Sequence, residues 1–226
     1  MRKVLSCGVI FFLVMLFPIG LMAADNTAEA DKLFRLGGLE NYKQAIALLE
    51  KELAANPDSY EANWKCARAY REYGDEAKSK KIEGWKDICA EYGKKGMQYA
   101  QKAFELEPNR PDGHYYYGLN VGIYSDGVSI FTALSEGLKD KTQTSFEKAY
   151  AIDKMYKEAG PMLSLGRFWA VLPWPMRDRD KSLQYSREYQ ATEYFADNLE
   201  AHFYLGEVLY QIGGKENTGY QICSAL

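Results

Sequence analysis

The sequence holds few of the residues from which active sites and metal centres are built. There are two histidines, His114 and His202, and four cysteines, with no CxxC pair among them. Widely spaced cysteines make neither a disulfide framework nor a zinc site. The formal charge of −3 lacks the basic excess that draws a whole molecule to nucleic acid. No glycine-rich nucleotide loop, HExxH helix, GxSxG elbow or EF-hand loop occurs. The carboxylates are numerous, but none is singled out for the raised pKa that acid/base work needs. Catalytic residues, cofactors and metals are therefore all read as none. What the chain does hold is apolar and aromatic: 47% apolar residues, with 18 Tyr, 10 Phe and 4 Trp in 226 positions. That content excludes disorder and is ample for a core.

The N-terminus opens Met1-Arg2-Lys3, continues with an almost unbroken apolar run from Val4 to Ala24, and ends in the polar Asp25-Asn26-Thr27. A basic end, an apolar middle and a small-residue exit are the order of a secretory signal peptide. Pro18 and Gly20 loosen the segment ahead of Ala23-Ala24, so residues 1–24 read as a cleaved leader and 25–226 as the mature domain. The expected location is periplasmic or otherwise exported. The alternative is an anchor left uncut, since about 20 apolar residues span a bilayer. Most of the apolar segment follows Cys7, whereas a lipid-attachment box needs it ahead of the cysteine, so Cys7 is not read as a lipidation site.

Three segments repeat one another: Gly113-His114-Tyr115-Tyr116-Tyr117-Gly118, Ala201-His202-Phe203-Tyr204-Leu205-Gly206 and, more faintly, Ala62-Asn63-Trp64-Lys65-Cys66-Ala67. Each follows a polar turn that delivers an acid to a helix start, as in Asn56-Pro57-Asp58-Ser59-Tyr60-Glu61. Before the turns lie second helical patterns, with apolar residues three and four apart: Ala45 to Leu53, Tyr99 to Leu106, and Phe146 to Ile152. No stretch alternates as a strand would. The unit is helix A, turn, helix B, polar turn, and the fold class is all-α. Cys66 reads as a small buried apolar residue, with a Cys66–Cys89 bridge as the alternative.

These segments resemble the tetratricopeptide repeat, whose small residue in helix A falls on Ala67, Gly118, Gly166 and Gly206. The resemblance implies a TPR-like α-α superhelix, a solenoid of antiparallel helix pairs. The small residues lie 51, 48 and 40 positions apart, against a period of about 34. The excess is assigned to insertions after the A helices, at Arg71 to about Trp85, Gly122 to about Asp140, and Leu172 to Arg179, which should gather along one edge. The run Gly160-Pro161, Leu165-Gly166-Arg167, Leu172-Pro173-Trp174-Pro175, Lys181 to Tyr185 and Glu200-Ala201-His202 also resembles the periplasmic T component of tripartite ATP-independent periplasmic (TRAP) transporters. That likeness spans about Asp112 to Leu209; Asn41 to Leu106 is only generically repeat-like.

The two histidines fill equivalent slots of separated repeats, which assigns them to packing and hydrogen bonding and keeps them from sharing a metal. The aromatics beside those slots, Trp64, Tyr115, Tyr116, Phe203 and Tyr204, are expected to line the concave groove, with Trp169 and Trp174 as further contact residues. Such a groove suits an apolar segment of a partner protein or a small hydrophobic ligand. The family likeness implies an accessory subunit that binds a transporter's solute-binding P component, with self-association into a homo-oligomer as a further expectation. A generic periplasmic scaffold for envelope assembly is the rival, and a helical enzyme with an unrecognised site the more remote one.

Overall fold

The computed structural model describes residues 23–213, which form ten α-helices and no strand. Most of the leader, with Cys7, and the last residues, with Cys223 and the question of how the final repeat ends, lie outside the described residues. The helices are α1 (Ala23–Leu36), α2 (Leu39–Ala55), α3 (Tyr60–Ser79), α4 (Trp85–Leu106), α5 (Pro111–Gly127), α6 (Ile130–Ser135), α7 (Leu138–Ile152), α8 (Tyr156–Val171), α9 (Arg179–Gln190) and α10 (Leu199–Gly213). None of them is long and apolar enough to cross a membrane. A and B helices pair as α1–α2, α3–α4, α5–α7 and α8–α9, α10 packs on α9, and α6 is an added turn between α5 and α7. This is the all-α superhelix that the repeats predict.

The helix ends follow the local chemistry. Helices α2 and α4 stop ahead of Asn56-Pro57 and Glu107-Pro108, because a proline disfavours helical backbone at the residue before it. The next helices open on side chains that satisfy free amides: Ser59 Oγ accepts from Ala62 N at 3.2 Å, Asp178 from Lys181 N at 3.0 Å, and Asn198 from Ala201 N at 2.9 Å. The expected insertions are corrected in part. Residues 71–79 simply lengthen α3, and 122–127 lengthen α5, because both stretches keep a buried face: Gly74, Ala77, Ile123 and Tyr124 are all buried. Only α6 and the loop after α8 are additions to the helix pairs. Cys66 and Cys89 are separate, buried thiols, so the bridge is not formed.

The closest packing joins α4 to α5. A Cβ at Gly93 would collide with the backbone N and Cα of Tyr124, one at Gly127 with the backbone of Lys86 and Ala90, and one at Gly96 with the side chain of Asn120. Asn120 is fully buried and donates to Ala67 O at 3.0 Å and Tyr116 O at 2.8 Å, so one amide ties α3 to α5 while its flank rests on α4. The small residues of the A helices act similarly within pairs: an added Cβ at Gly118 would lie 2.6 Å from the Phe146 ring, and one at Gly166 2.9 Å from Ser186 Oγ.

Ionic and polar ties join successive A helices. Asp31 on α1 accepts from Lys65 Nζ at 2.7 Å and from Arg68 at 2.6 Å. Burial pushes the Asp31 carboxyl upward, but the hydrogen bonds and charges of Lys65 and Arg68 outweigh it and hold the pKa below its ordinary value. Asp112 accepts from Tyr60 at 2.6 Å and from Tyr156 at 2.8 Å, and so links the starts of α3, α5 and α8. The entry to α8 carries backbone strain: Lys157, Glu158 and Ala159 take φ of 48°, 59° and 59° before right-handed helix begins at Gly160-Pro161.

Two outcomes follow. Gly93→Ala should lower stability by about 1–3 kcal/mol in urea unfolding, since overpacking against backbone outweighs the gain in helix propensity. Glu158→Gly should raise the melting temperature, because relief of the left-handed strain, about 1–2 kcal/mol, exceeds glycine's entropic cost at an exposed site.

Candidate functional site

The repeated slot has a single structural job. Asn63 Nδ2 donates to Pro57 O at 3.0 Å, His114 Nε2 meets Pro108 O at 3.0 Å, and His202 Nε2 meets Ala196 O at 3.4 Å. In each case the side chain reaches the carbonyl six residues back and pins helix A to the turn before it. A carbonyl only accepts, so Nε2 carries the proton in both histidines. His114 also stacks on Phe104, with centroids 4.9 Å apart, and His202 lies 4.0 Å from Phe195. Among the described residues no group of three or more His, Cys, Asp or Glu could hold a metal ion.

The inner wall opens instead into a cavity of about 860 Å³. Helices α3, α5, α8 and α10 line it from the A side, α7 adds Phe146, and α6 with the loop after α8 forms its mouth. Its apolar floor is Tyr115, Phe146, Leu163 and Phe168, and several of its charged side chains are ion-paired. Arg71 bonds Glu72 at 2.7 Å, Lys78 bonds Asp126 at 2.6 Å, and Arg167 bonds Glu207 at 2.5 Å while its guanidinium lies 4.5 Å from the Tyr204 ring centre. Burial holds the Tyr116 phenol well above its ordinary pKa, and burial with the Glu200 carboxylate does the same for Tyr204. Neither phenol is an available base. The arrangement sets an aromatic floor among polar side chains, which suits binding an amphiphilic segment.

Of the expected contact residues, Tyr115, Tyr116 and Tyr204 line this cavity. Trp64 does not: it is buried, stacked on Tyr116 with centroids 5.8 Å apart, and donates to Glu61 at 3.0 Å. Trp169 is buried with Phe168 and Leu172 at the end of α8. Trp174 stands in solvent on the loop, and Phe203 is 55% exposed outside the cavity lining. Trp64, Tyr115 and Phe203 occupy one repeat slot and meet three fates, because the slot faces the following A helix. Helix α5 covers Trp64, and Tyr156 and Gly160 of α8 lie against Tyr115, whereas Phe203 stays exposed. Sequence reading missed Arg71, Phe146, Leu163 and Arg167 as lining. Phe146 carried a signal, its helical spacing in a B helix, but that spacing equally marks a core residue.

Helix pairs stacked through small residues, with a cavity on the A-helix wall, define a TPR-like helical-repeat protein. The chain belongs to the family described as regulator of microtubule dynamics protein 1-3, whose family model matches residues 26–177. The match includes Asn41 to Leu106, which is therefore more than generically repeat-like. No curated protein matches the chain. Among solved structures it is similar to a thermophilic TPR protein of Thermus thermophilus, at 17% identity and TM-score 0.59 over 84% of this chain and 83% of that one. Two structures of MamA are similar at 14% and 15% identity, with TM-scores of 0.57 and 0.55, over 89% and 86% of this chain and 88% and 90% of theirs. These likenesses establish the fold.

The repeated slot makes a pH prediction. Burial is the main cause that holds the His114 pKa below its ordinary value, with Lys148 adding to it against the Pro108 hydrogen bond. The unfolded chain therefore takes up the proton more readily. Stability from this site is complete above the ordinary histidine pKa and is lost as pH falls through that value toward the folded one. His114→Asn, which copies the Asn63 arrangement, should cost about 1 kcal/mol at pH 7 for the lost stacking. Its stability should also fall less than wild type between about pH 7 and pH 5. Urea unfolding at the two pH values measures both effects.

Proposed function

We propose that the chain is an exported, non-enzymatic binding protein whose inner cavity takes an elongated apolar or amphipathic segment of a partner protein. The observation that carries this reading is the aromatic floor of Tyr115, Phe146 and Phe168 under a rim of paired charges. A helix or extended peptide would bury its apolar side on the rings and meet Arg71, Asp75 and Lys78 along α3. Arg71 Nε, buried with no hydrogen-bond partner, is a donor suited to an acceptor on such a segment. The family description names regulators of microtubule dynamics, a protein-directed role, and supports a protein as the occupant. A small hydrophobic ligand in the same cavity is the variant of this reading. Export rests on the leader-like order of residues 1–24.

A second reading has one specific observation in its favour. The stretch that resembles the T component of TRAP transporters, Gly160-Pro161 through Leu172-Pro173-Trp174-Pro175, builds the α8 wall and one lip of the cavity. On that reading the partner is a solute-binding P component. An envelope scaffold with other partners remains the broader form of the proposal.

Gly122 gives a clean test, because it lines the cavity and a Cβ there meets nothing within 4 Å. Gly122→Trp should fill the site with stability unchanged or raised. A photo-crosslinking residue at position 122 should capture a defined partner segment, whereas one at Lys102 on α4, outside the cavity lining, should not. The partner's retention should disappear in Gly122→Trp. Equal capture from both positions, or full retention by a folded Gly122→Trp chain, overturns the cavity as the binding site.

A further inference from the structure

Helix α10 leaves an apolar stripe in solvent. Leu199 is 71% exposed, and Phe203 and Tyr210 are exposed with it. Steps of four and then seven residues put all three on one face of the helix, a stripe about 16 Å long at ~1.5 Å per residue. None of the three lines the cavity described above. At its N-terminal end the stripe runs into a separate hollow of about 640 Å³, which Leu199 lines together with Glu158 of α8 and with Glu193 and Asp197 from the turn before α10. The charge there has one sign. From Glu188 to Gly213 the chain has five acids, Glu188, Glu193, Asp197, Glu200 and Glu207, and no Lys or Arg. Lys154 pairs with Glu188 at 3.1 Å and Arg167 with Glu207 at 2.5 Å. Glu158, Glu193 and Asp197 are exposed and make no ion pair among the described residues. Lys157, beside Glu158 in the chain, lines the other cavity, with its Nζ 5.9 Å from the Trp64 ring centre.

We propose that this face docks a basic amphipathic helix of a partner protein. The partner's apolar side chains lie on Leu199, Phe203 and Tyr210, and its lysines or arginines reach Glu158, Glu193 and Asp197 in the hollow. Charge complementarity selects this occupant. Carboxylates with no cation of their own, set at the end of an apolar stripe, attract a cationic segment and repel an acidic one. They repel an anionic bilayer or a nucleic acid for the same reason. A second copy of the chain is a poor match, because a two-fold contact would set this face against itself, acid against acid. A helix suits the stripe because its own residues three and four apart form a ridge that packs along α10. The face lies outside the cavity lining, so this docking survives or fails separately from the reading above.

The test uses the full chain and two dye-labelled synthetic helical peptides with leucines three and four apart, one carrying lysine at its polar positions and the other glutamate. Fluorescence anisotropy should show binding of the lysine peptide and none of the glutamate peptide. Glu193→Gln with Asp197→Asn should weaken that binding roughly fivefold at low salt, and the loss should shrink in about 0.5 M salt, where exposed charges are screened. Glu83→Gln with Asp87→Asn, which removes the same charge at the start of α4, should leave binding nearly unchanged. Phe203→Ser should weaken it roughly tenfold at either salt while helical circular dichroism is retained. Gly122→Trp, which fills the other cavity, should leave it unchanged. A photo-crosslinking residue at position 203 should capture the lysine peptide. Equal binding of the two peptides, equal loss from the two acid pairs, or full binding by a folded Phe203→Ser chain overturns the proposal. So does loss of binding in Gly122→Trp, which puts the peptide in the cavity, or capture at position 203 of a second copy alone.

Discussion

The contact between α4 and α5 is the constraint on which the rest of the molecule depends. At Gly93 and Gly127 one helix lies against the other's backbone with no side chain between them. Interiors are packed too tightly to absorb an extra methyl at such points, so the distance and angle of this pair are fixed by atoms that are absent. Asn120 uses that closeness. Its side chain sits against Gly96 and directs its amide to Ala67 and Tyr116, which carries the geometry of one helix pair into the neighbouring A helix. The wall of A helices, and with it the cavity, inherits its shape from there.

The second layer of organisation is polar and repeats along the stack. A side chain at one slot reaches the carbonyl six residues earlier in three units, through asparagine once and histidine twice. Asp31 and Asp112 then join neighbouring A helices through charged and phenolic donors. Buried polar groups of this sort cost stability unless every one is satisfied, and in return they admit only one register between repeats. The histidines are structural because each belongs to a slot, and the slots are spaced by whole repeats.

Much of the fold was legible in the residues. The turns at Pro57 and Pro108, the spacing of Phe146, Ala149 and Ile152, and the small residues at Ala67 and Gly118 all report local requirements that a helix pair imposes wherever it occurs. The site was legible only in part. Tyr115, Tyr116 and Tyr204 line the cavity as their slots suggested, whereas Trp64 is roofed by the next helix and Trp169 turns inward with Phe168. Arg71 and Arg167 gave no sequence signal, because an arginine on a helix face looks the same whether it meets solvent or lines a cavity.

The sequence alone determined the class of secondary structure, the helix ends and the pairing of A with B, since propensity, capping and periodicity act within a few residues of one another. Tertiary structure decided which copy of a repeated aromatic is covered and which is left open, because cover comes from a neighbouring helix distant in sequence, as α5 for Trp64 and α8 for Tyr115. It also decided that residues 71–79 extend α3 and that α6 and the Trp174 loop stand at the same mouth. Those outcomes arise from the curvature of the stack, which brings together positions far apart in the chain, and no local rule of the chain encodes that curvature.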